Sequence, residues 1–220
     1  MALKGISGSL ASLDLLEAVG ACQAGDNTGR LRAVLAGARR ELGPTSSARQ
    51  IVDVLVLPFA RELELEPALV RDDGDVLSLS ISTGGRVLAT LSAGGWNADL
   101  RRLRQVVARA APRWWIGANG ATLRVMDVSR AYAQRAIDFD LDRVEEDDRA
   151  LRVLQRVFTS PFATLEALIR NTELQRSAVG RSLQTGVEDA LTRLVSGFAR
   201  GARRRPVVLD AALADALTIV

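Results

Sequence analysis

Apolar and polar residues alternate through Val76-Leu-Ser-Leu-Ser-Ile81, without a break from Leu77 on, and a period of two belongs to a half-buried strand rather than to a helix. Thr83-Gly-Gly-Arg86 follows with hairpin-turn chemistry, and Val87 to Leu91 returns as a second strand. The period then changes. Asn97 is placed to cap a helix over 98–111, with Leu100, Leu103, Val106 and Val107 inward and its arginines outward. Pro112 closes that helix, and Trp114-Trp-Ile116 opens another strand. Asn119-Gly120 is the strongest short hairpin signal in the chain; Leu123, Val125 and Val128 form the return strand. Ile137-Asp-Phe-Asp-Leu141 alternates as a final, edge strand.

The flanking segments are helical. Residues 1–11 read as disordered; Ser12 caps a short helix from Leu13 to Ala21, which stops in the Gly-Asp-Asn-Thr-Gly stretch at 25–29. A second helix carries Leu31, Val34, Leu35 and Leu42 on one face and ends at Gly43-Pro44. Thr45, Ser46 and Ser47 offer caps for a third, built on Ile51, Val54, Leu55, Leu57, Phe59 and Leu63, which Pro58 should kink or interrupt. From Asp147 onward the pattern is helical again, broken around Ser160-Pro161. A long helix follows from about 165 to 200, with Leu168, Ile169, Val179, Leu183, Val187, Leu191, Leu194 and Phe198 at helical spacing. The last apolar segment, 209–220, runs to Leu217-Thr-Ile-Val220 without a polar exit, which points to a truncated connector or an absent partner. The expectation is an α/β chain: a mixed sheet flanked by helices, followed by a long α-helical extension. It divides into an N-terminal helical segment (1–44), an α/β domain (45–145) and a truncated helical connector (146–220).

Side-chain chemistry narrows the function. The chain of 220 residues has no histidine, one cysteine (Cys22) and one lysine, Lys4. A Ser-His-Asp triad and a zinc site of His or Cys ligands are excluded. So is a phosphate-binding loop that needs Gly-Lys-Ser/Thr. A lone cysteine forms no intramolecular disulfide and fits a reducing compartment. The N-terminus lacks a long apolar run, and no stretch approaches the roughly 20 apolar residues of a membrane span, so a cytoplasmic location is expected. The stretch Arg86 to Asp127 reads as strand, helix, strand, turn, strand. In metal-dependent restriction-type nucleases, that arrangement carries an acid and a lysine two residues apart on its first strand, where Mg²⁺, water and phosphate line up. Here the strand reads Val87-Leu-Ala-Thr-Leu-Ser-Ala93, with Leu91 and Ala93 at the expected positions. Asp75 stands near the upstream acid's place but in the turn Asp72-Asp-Gly-Asp75, and Asp99-Leu-Arg101 reads as the acidic first turn of a helix. No catalytic residue, metal site or cofactor is therefore assigned to this chain.

Binding remains. Residues 97–220 carry twenty basic and fifteen acidic side chains, against nine and eleven before them. Arg101, Arg102, Arg104 and Arg109 lie on the helix after the vacant strand, near Trp96, and a second group follows at Arg200, Arg203, Arg204 and Arg205. Arginine pairs phosphate bidentately, and a neighbouring tryptophan can stack on a base. These residues are the candidate contacts to a double-stranded DNA backbone, with Trp96 the stacking candidate. The same arginines also read as solvated helix faces, and the tryptophans as packing residues.

Wording and order then converge. Ser46-Ser-Ala-Arg-Gln-Ile-Val-Asp-Val-Leu-Val-Leu-Pro58, Ala111-Pro-Arg-Trp-Trp-Ile-Gly-Ala-Asn-Gly-Ala-Thr-Leu-Arg-Val-Met-Asp127 and Ile137-Asp-Phe-Asp-Leu141 resemble the N-terminal regions of type IIG restriction–modification enzymes. These are single chains that fuse a restriction-like module to an adenine-specific DNA methyltransferase. Ser177-Ala-Val-Gly-Arg-Ser-Leu-Gln-Thr-Gly-Val187 and Ala216-Leu-Thr-Ile-Val220 resemble their helical connector. The resemblance spans about residues 45–220. It implies a degenerate restriction-endonuclease-like domain, a non-catalytic module of a restriction–modification or phage-defence methyltransferase. It also implies that the S-adenosylmethionine site lies in a downstream domain, which would be a partner along with DNA. The alternative from another class is a protein-interaction or oligomerisation module without nucleic-acid binding.

Overall fold

The computed structural model describes residues 3–22, 28–103, 112–129, 135–159 and 162–204. Its centre is a seven-stranded mixed sheet: β1 (Ile6–Gly8), β2 (Glu66–Asp72), β3 (Val76–Thr83), β4 (Arg86–Gly94), β5 (Trp114–Ala118), β6 (Thr122–Asp127) and β7 (Ala136–Asp140). The strands lie in the order β1-β7-β6-β5-β4-β3-β2. Every neighbouring pair is antiparallel except β4 and β5, which run parallel, because the chain leaves β4 and returns at β5 through a crossover rather than a hairpin. The fold class read from the sequence, a mixed α/β sheet with flanking helices and a long C-terminal helix, is the one observed.

Alternation decides which residues meet the core. Leu77, Leu79 and Ile81 of β3, Ala89, Leu91 and Ala93 of β4, Trp114 and Ile116 of β5, Leu123 and Val125 of β6, and Ile137 and Phe139 of β7 share one face and one apolar core. Onto that face pack residues of α1 (Leu13–Ala21), α2 (Thr28–Glu41), α3 (Ala48–Ile51), α4 (Leu57–Glu62), α6 (Leu141–Glu145) and α7 (Asp148–Phe158). The first turns of α8 (Ala163–Arg204) join them. Between α3 and α4, Val52–Val56 forms a π-helical turn in which the Leu57 N–H reaches the Val52 carbonyl. Pro58 has no N–H to give to the i−4 carbonyl, and its ring crowds that position. The helix widens by one residue instead of breaking, as such insertions do. Ser47 and Gln50 close a capping box in front of α3: the Ser47 hydroxyl accepts from Gln50 N at 3.3 Å, and Gln50 Oε1 accepts from Ser47 N at 2.9 Å.

Three expectations change. The N-terminus is ordered from Leu3: Ile6 pairs with Phe139, and Ser9 and Leu10 donate to the Ala136 carbonyl at 2.9 and 3.1 Å. This pairing makes β7 an interior strand, and β1 and β2 are the edges of the sheet. The glycine-rich opening hides a strand because the close approach requires it; a Cβ on Gly8 would lie 2.1 Å from the Ala136 oxygen. The cap of the helix after β4 also moves. Asn97 is exposed, and the carboxylate of Asp99 accepts from Arg101 N at 2.8 Å, so α5 begins at Leu100 and is described to Leu103.

Residues 1–172 form one compact unit and 173–220 a second, so the division falls inside α8. Segment borders at 44/45 and 145/146 do not separate bodies: Leu31 of α2 and Leu151 of α7 sit in the same core as the sheet. In the first unit α8 buries Leu165, Leu168, Ile169 and Thr172. In the second it leaves Val179, Leu183, Val187, Leu191, Leu194 and Phe198 exposed.

Candidate nucleic-acid interface

The strand that would hold a nuclease's acid and lysine is β4, and its two faces have different fates. Leu91 pairs with Leu79 and Ile116, Ala93 with Leu77 and Ala118, and all are buried on the core side. Leu55, Phe59 and Phe158 close over Leu91 from the helical layer. The other face of β4 presents Thr90 and Ser92, beside Ser80 and Ser78 of β3. There the fully buried Trp115 folds its indole back over Gly117, where a Cβ would lie 2.5 Å from the ring. Its Nε1–H donates to the Ser92 hydroxyl at 3.1 Å. Neither face of β4 bears a carboxylate or an ammonium group. Asp75 is exposed in the β2–β3 turn, where its N–H donates to the Asp73 carbonyl at 3.0 Å and the Asp72 carboxylate accepts from Gly74 N at 2.9 Å. These bonds make the acidic run a turn.

Of the candidate arginines, Arg101 and Arg102 stand at the start of α5, both exposed. The Arg102 guanidinium lies 3.9 Å from Asp99, at the outer limit of an ion pair, with 85% of its side chain exposed. Among the described residues Arg101 has no ion-pair partner. Arg104, Arg109 and Arg205 lie outside the described residues. Arg203 and Arg204 continue α8, but their side chains are outside the described part. Arg200 is exposed in the second unit and donates to the Ser196 carbonyl at 3.3 Å. Of the candidate contacts, Arg101 and Arg102 in the first unit and Arg200 in the second are the ones whose side chains are described, and each is exposed.

Trp96 is half-buried and packs on the main core. Its ring covers Gly120, where a Cβ would lie 2.8 Å away, and the Trp96 backbone N–H donates to the Ser46 carbonyl at 3.2 Å. One side of the ring is thus spent on the β5–β6 turn. Asn119 braces that turn by accepting from Thr122 N at 2.9 Å, and its amide donates to the Ala98 carbonyl at 3.3 Å, tying the turn to the start of the arginine-bearing segment. Gly120 has φ +85°, a left-handed backbone conformation that favours glycine.

Sequence reasoning did not find the ionic bracket below this surface. Arg113 donates to Asp127 Oδ2 from Nε and Nη2 at 3.1 and 3.0 Å, and to Glu166 from Nη1 at 3.0 Å, while it stacks on Trp114 at 4.8 Å. It is committed to the fold rather than free for phosphate. Asp127 also accepts the Ser129 hydroxyl at 2.6 Å. Burial opposes its ionisation, but Ser129 and Arg113 outweigh that and hold its carboxyl below the ordinary aspartate range. On the adjoining strands Arg124 and Asp138 sit directly across from each other and join at 2.6 and 2.8 Å. A signal existed in the sequence: arginine and aspartate at matched positions of paired strands.

Comparison of the chain with protein-family models, with curated proteins and with solved structures finds no match. Among the described residues no helix is long and apolar enough to cross a membrane.

Proposed function

We propose that this chain is a non-catalytic N-terminal module of a bacterial, cytoplasmic restriction–modification or phage-defence DNA methyltransferase, contributing contact with the DNA backbone and architecture. The observation that carries the reading is the contrast around β4. Its inner face is core, Trp115 covers Ser92 on its outer face, and the segment that leaves it exposes the guanidinium groups of Arg101 and Arg102. A phosphate chain needs such solvent-facing cations and no catalytic acid. The resemblance of 111–127 and 137–141 to type IIG enzymes supplies the biological setting, with S-adenosylmethionine bound by a downstream domain.

Contacts limited to the backbone imply sequence-independent binding that weakens steeply with salt. Fluorescence anisotropy with two duplexes of unrelated sequence tests this. Equal affinities that fall together between low and moderate salt support the reading. Absent binding, or affinity flat with salt, removes it. The second reading, a protein-interaction module without nucleic-acid binding, is favoured by one observation, the exposed apolar stripe of α8.

A further inference from the structure

A helix that leaves a wide apolar stripe in water needs a partner for it, because tertiary packing rather than propensity stabilises most helices. In the second unit, Leu183, Val187, Leu191, Leu194 and Phe198 are 66%, 58%, 56%, 54% and 48% exposed. With Val179 they form a continuous band about 30 Å long and about 10 Å wide, at the scale of patches that mark interaction sites. The band carries its own symmetry. From Leu183 through Val187, Ala190, Leu191 and Leu194 to Phe198 the intervals are 4, 3, 1, 3 and 4 residues, which read the same in either direction. We propose that this face pairs antiparallel with the same face of a second copy of the chain, about a two-fold axis between Ala190 and Leu191.

In that arrangement Leu183 meets Phe198 of the other copy, Val187 meets Leu194, and the small Ala190 receives Leu191. Complementary sizes face each other at every layer. Gly186, Ala190 and Gly197 border an open groove that lets the backbones approach. Charge selects the same geometry. Asp189 and Arg193 lie on one flank of the band, 40° apart on an ideal helix, and straddle the same midpoint. Among the described residues neither forms an ion pair. Antiparallel pairing brings each Asp189 level with the other copy's Arg193 to within about 1.5 Å along the axis, twice over by symmetry. Parallel, in-register pairing would set Ala190 against Ala190 and bring each of these charges level with its own like. The band is modest in area, so dissociation in the micromolar range is expected, on the order of 1–10 µM. The inference does not rest on the DNA-binding proposal, since the pairing is read without nucleic acid.

Light scattering on the full chain from about 1 to 100 µM, a range that brackets such an affinity, should show the mass rising from one chain to two. Leu191→Arg should keep the circular-dichroism helix signal, since Leu191 is exposed in the single chain, and stay at one chain throughout. Asp189→Arg and Arg193→Asp should each weaken association about tenfold, and the double swap should restore it. In a Cys22→Ser background, mixing Val187→Cys with Leu194→Cys should yield the mixed disulfide on oxidation. A wild-type chain that is monomeric at every concentration would mean that other residues of this chain cover the band, or a different protein does, and overturns the proposal. So does a dimer that survives Leu191→Arg, or one that cross-links Val187→Cys to itself.

Discussion

Arg113 meets Asp127, Glu166 and the face of Trp114 at once, so the start of β5, the end of β6 and the first turn of α8 share one guanidinium. Replacing Asp127 with Asn keeps the shape and removes the charge. Thermal or denaturant unfolding should show a loss of about 2–3 kcal/mol, the cost of breaking a paired, buried group. The same carboxyl sets an acid limit. Its value is lower in the fold than the unfolded value of about 4, so its contribution is complete above that pH and disappears as pH falls through the folded value. Asp147 acts in the same direction. Burial opposes its charge, but the N–H groups of Lys4, Arg149 and Ala150 hold its carboxyl down. Melting temperature should therefore drop below about pH 4, and Asp127→Asn should flatten that drop; an unchanged profile would contradict the assignment. At Gly120 two demands coincide, φ +85° and the overlying Trp96 ring. Gly120→Ala should cost about 1–3 kcal/mol and shift the tryptophan emission, whereas a neutral effect would mean that the ring is free to move.

Elements show what a sequence discloses. Alternation in β3 and apolar spacing in α7 announce themselves, because burial on one face imposes a period. The segment β2 does not: as an edge strand it is exposed along nearly its whole length, with Leu69 and Val70 in solvent and a register shift beside them. Its hydropathy carries no face to read. Likewise β1 is short and glycine-bounded, and its evidence lies 130 residues away in Ala136–Phe139. Caps are legible in kind but not always in position. Ser47→Ala should cost about 1 kcal/mol in unfolding experiments, while Asn97→Ala should change stability by less than about 0.5 kcal/mol. The reverse ranking would mean that the helix after β4 starts earlier than Leu100. Among the candidate contacts, Arg101 and Arg102 could be placed at an exposed helix start from charge and pattern alone. That Trp96 would lean on Gly120 depends on the segment after β4 meeting the β5–β6 turn, which periodicity does not encode; Trp115 and Gly117, two residues apart on β5, share a face by alternation alone.

At the scale of the molecule, the chain runs from β4 through a crossover to the parallel strand β5, and the outer face of β4 presents Thr90 and Ser92, with the Trp115 indole on Ser92. On the proposed reading this scaffold serves as a platform for the DNA backbone, with Arg101 and Arg102 as its exposed cations. On that reading the number of phosphates engaged is open to direct counting, because each one neutralised adds about 0.9 to the slope of log affinity against log salt. The decisive measurement is that slope for the full chain and for the Arg101→Glu/Arg102→Glu variant, on the same duplex and over the same salt range. The account predicts weaker binding for the variant and a slope shallower by about 2, with folding unchanged because both side chains are exposed. A variant that binds with the wild-type affinity and slope would contradict it.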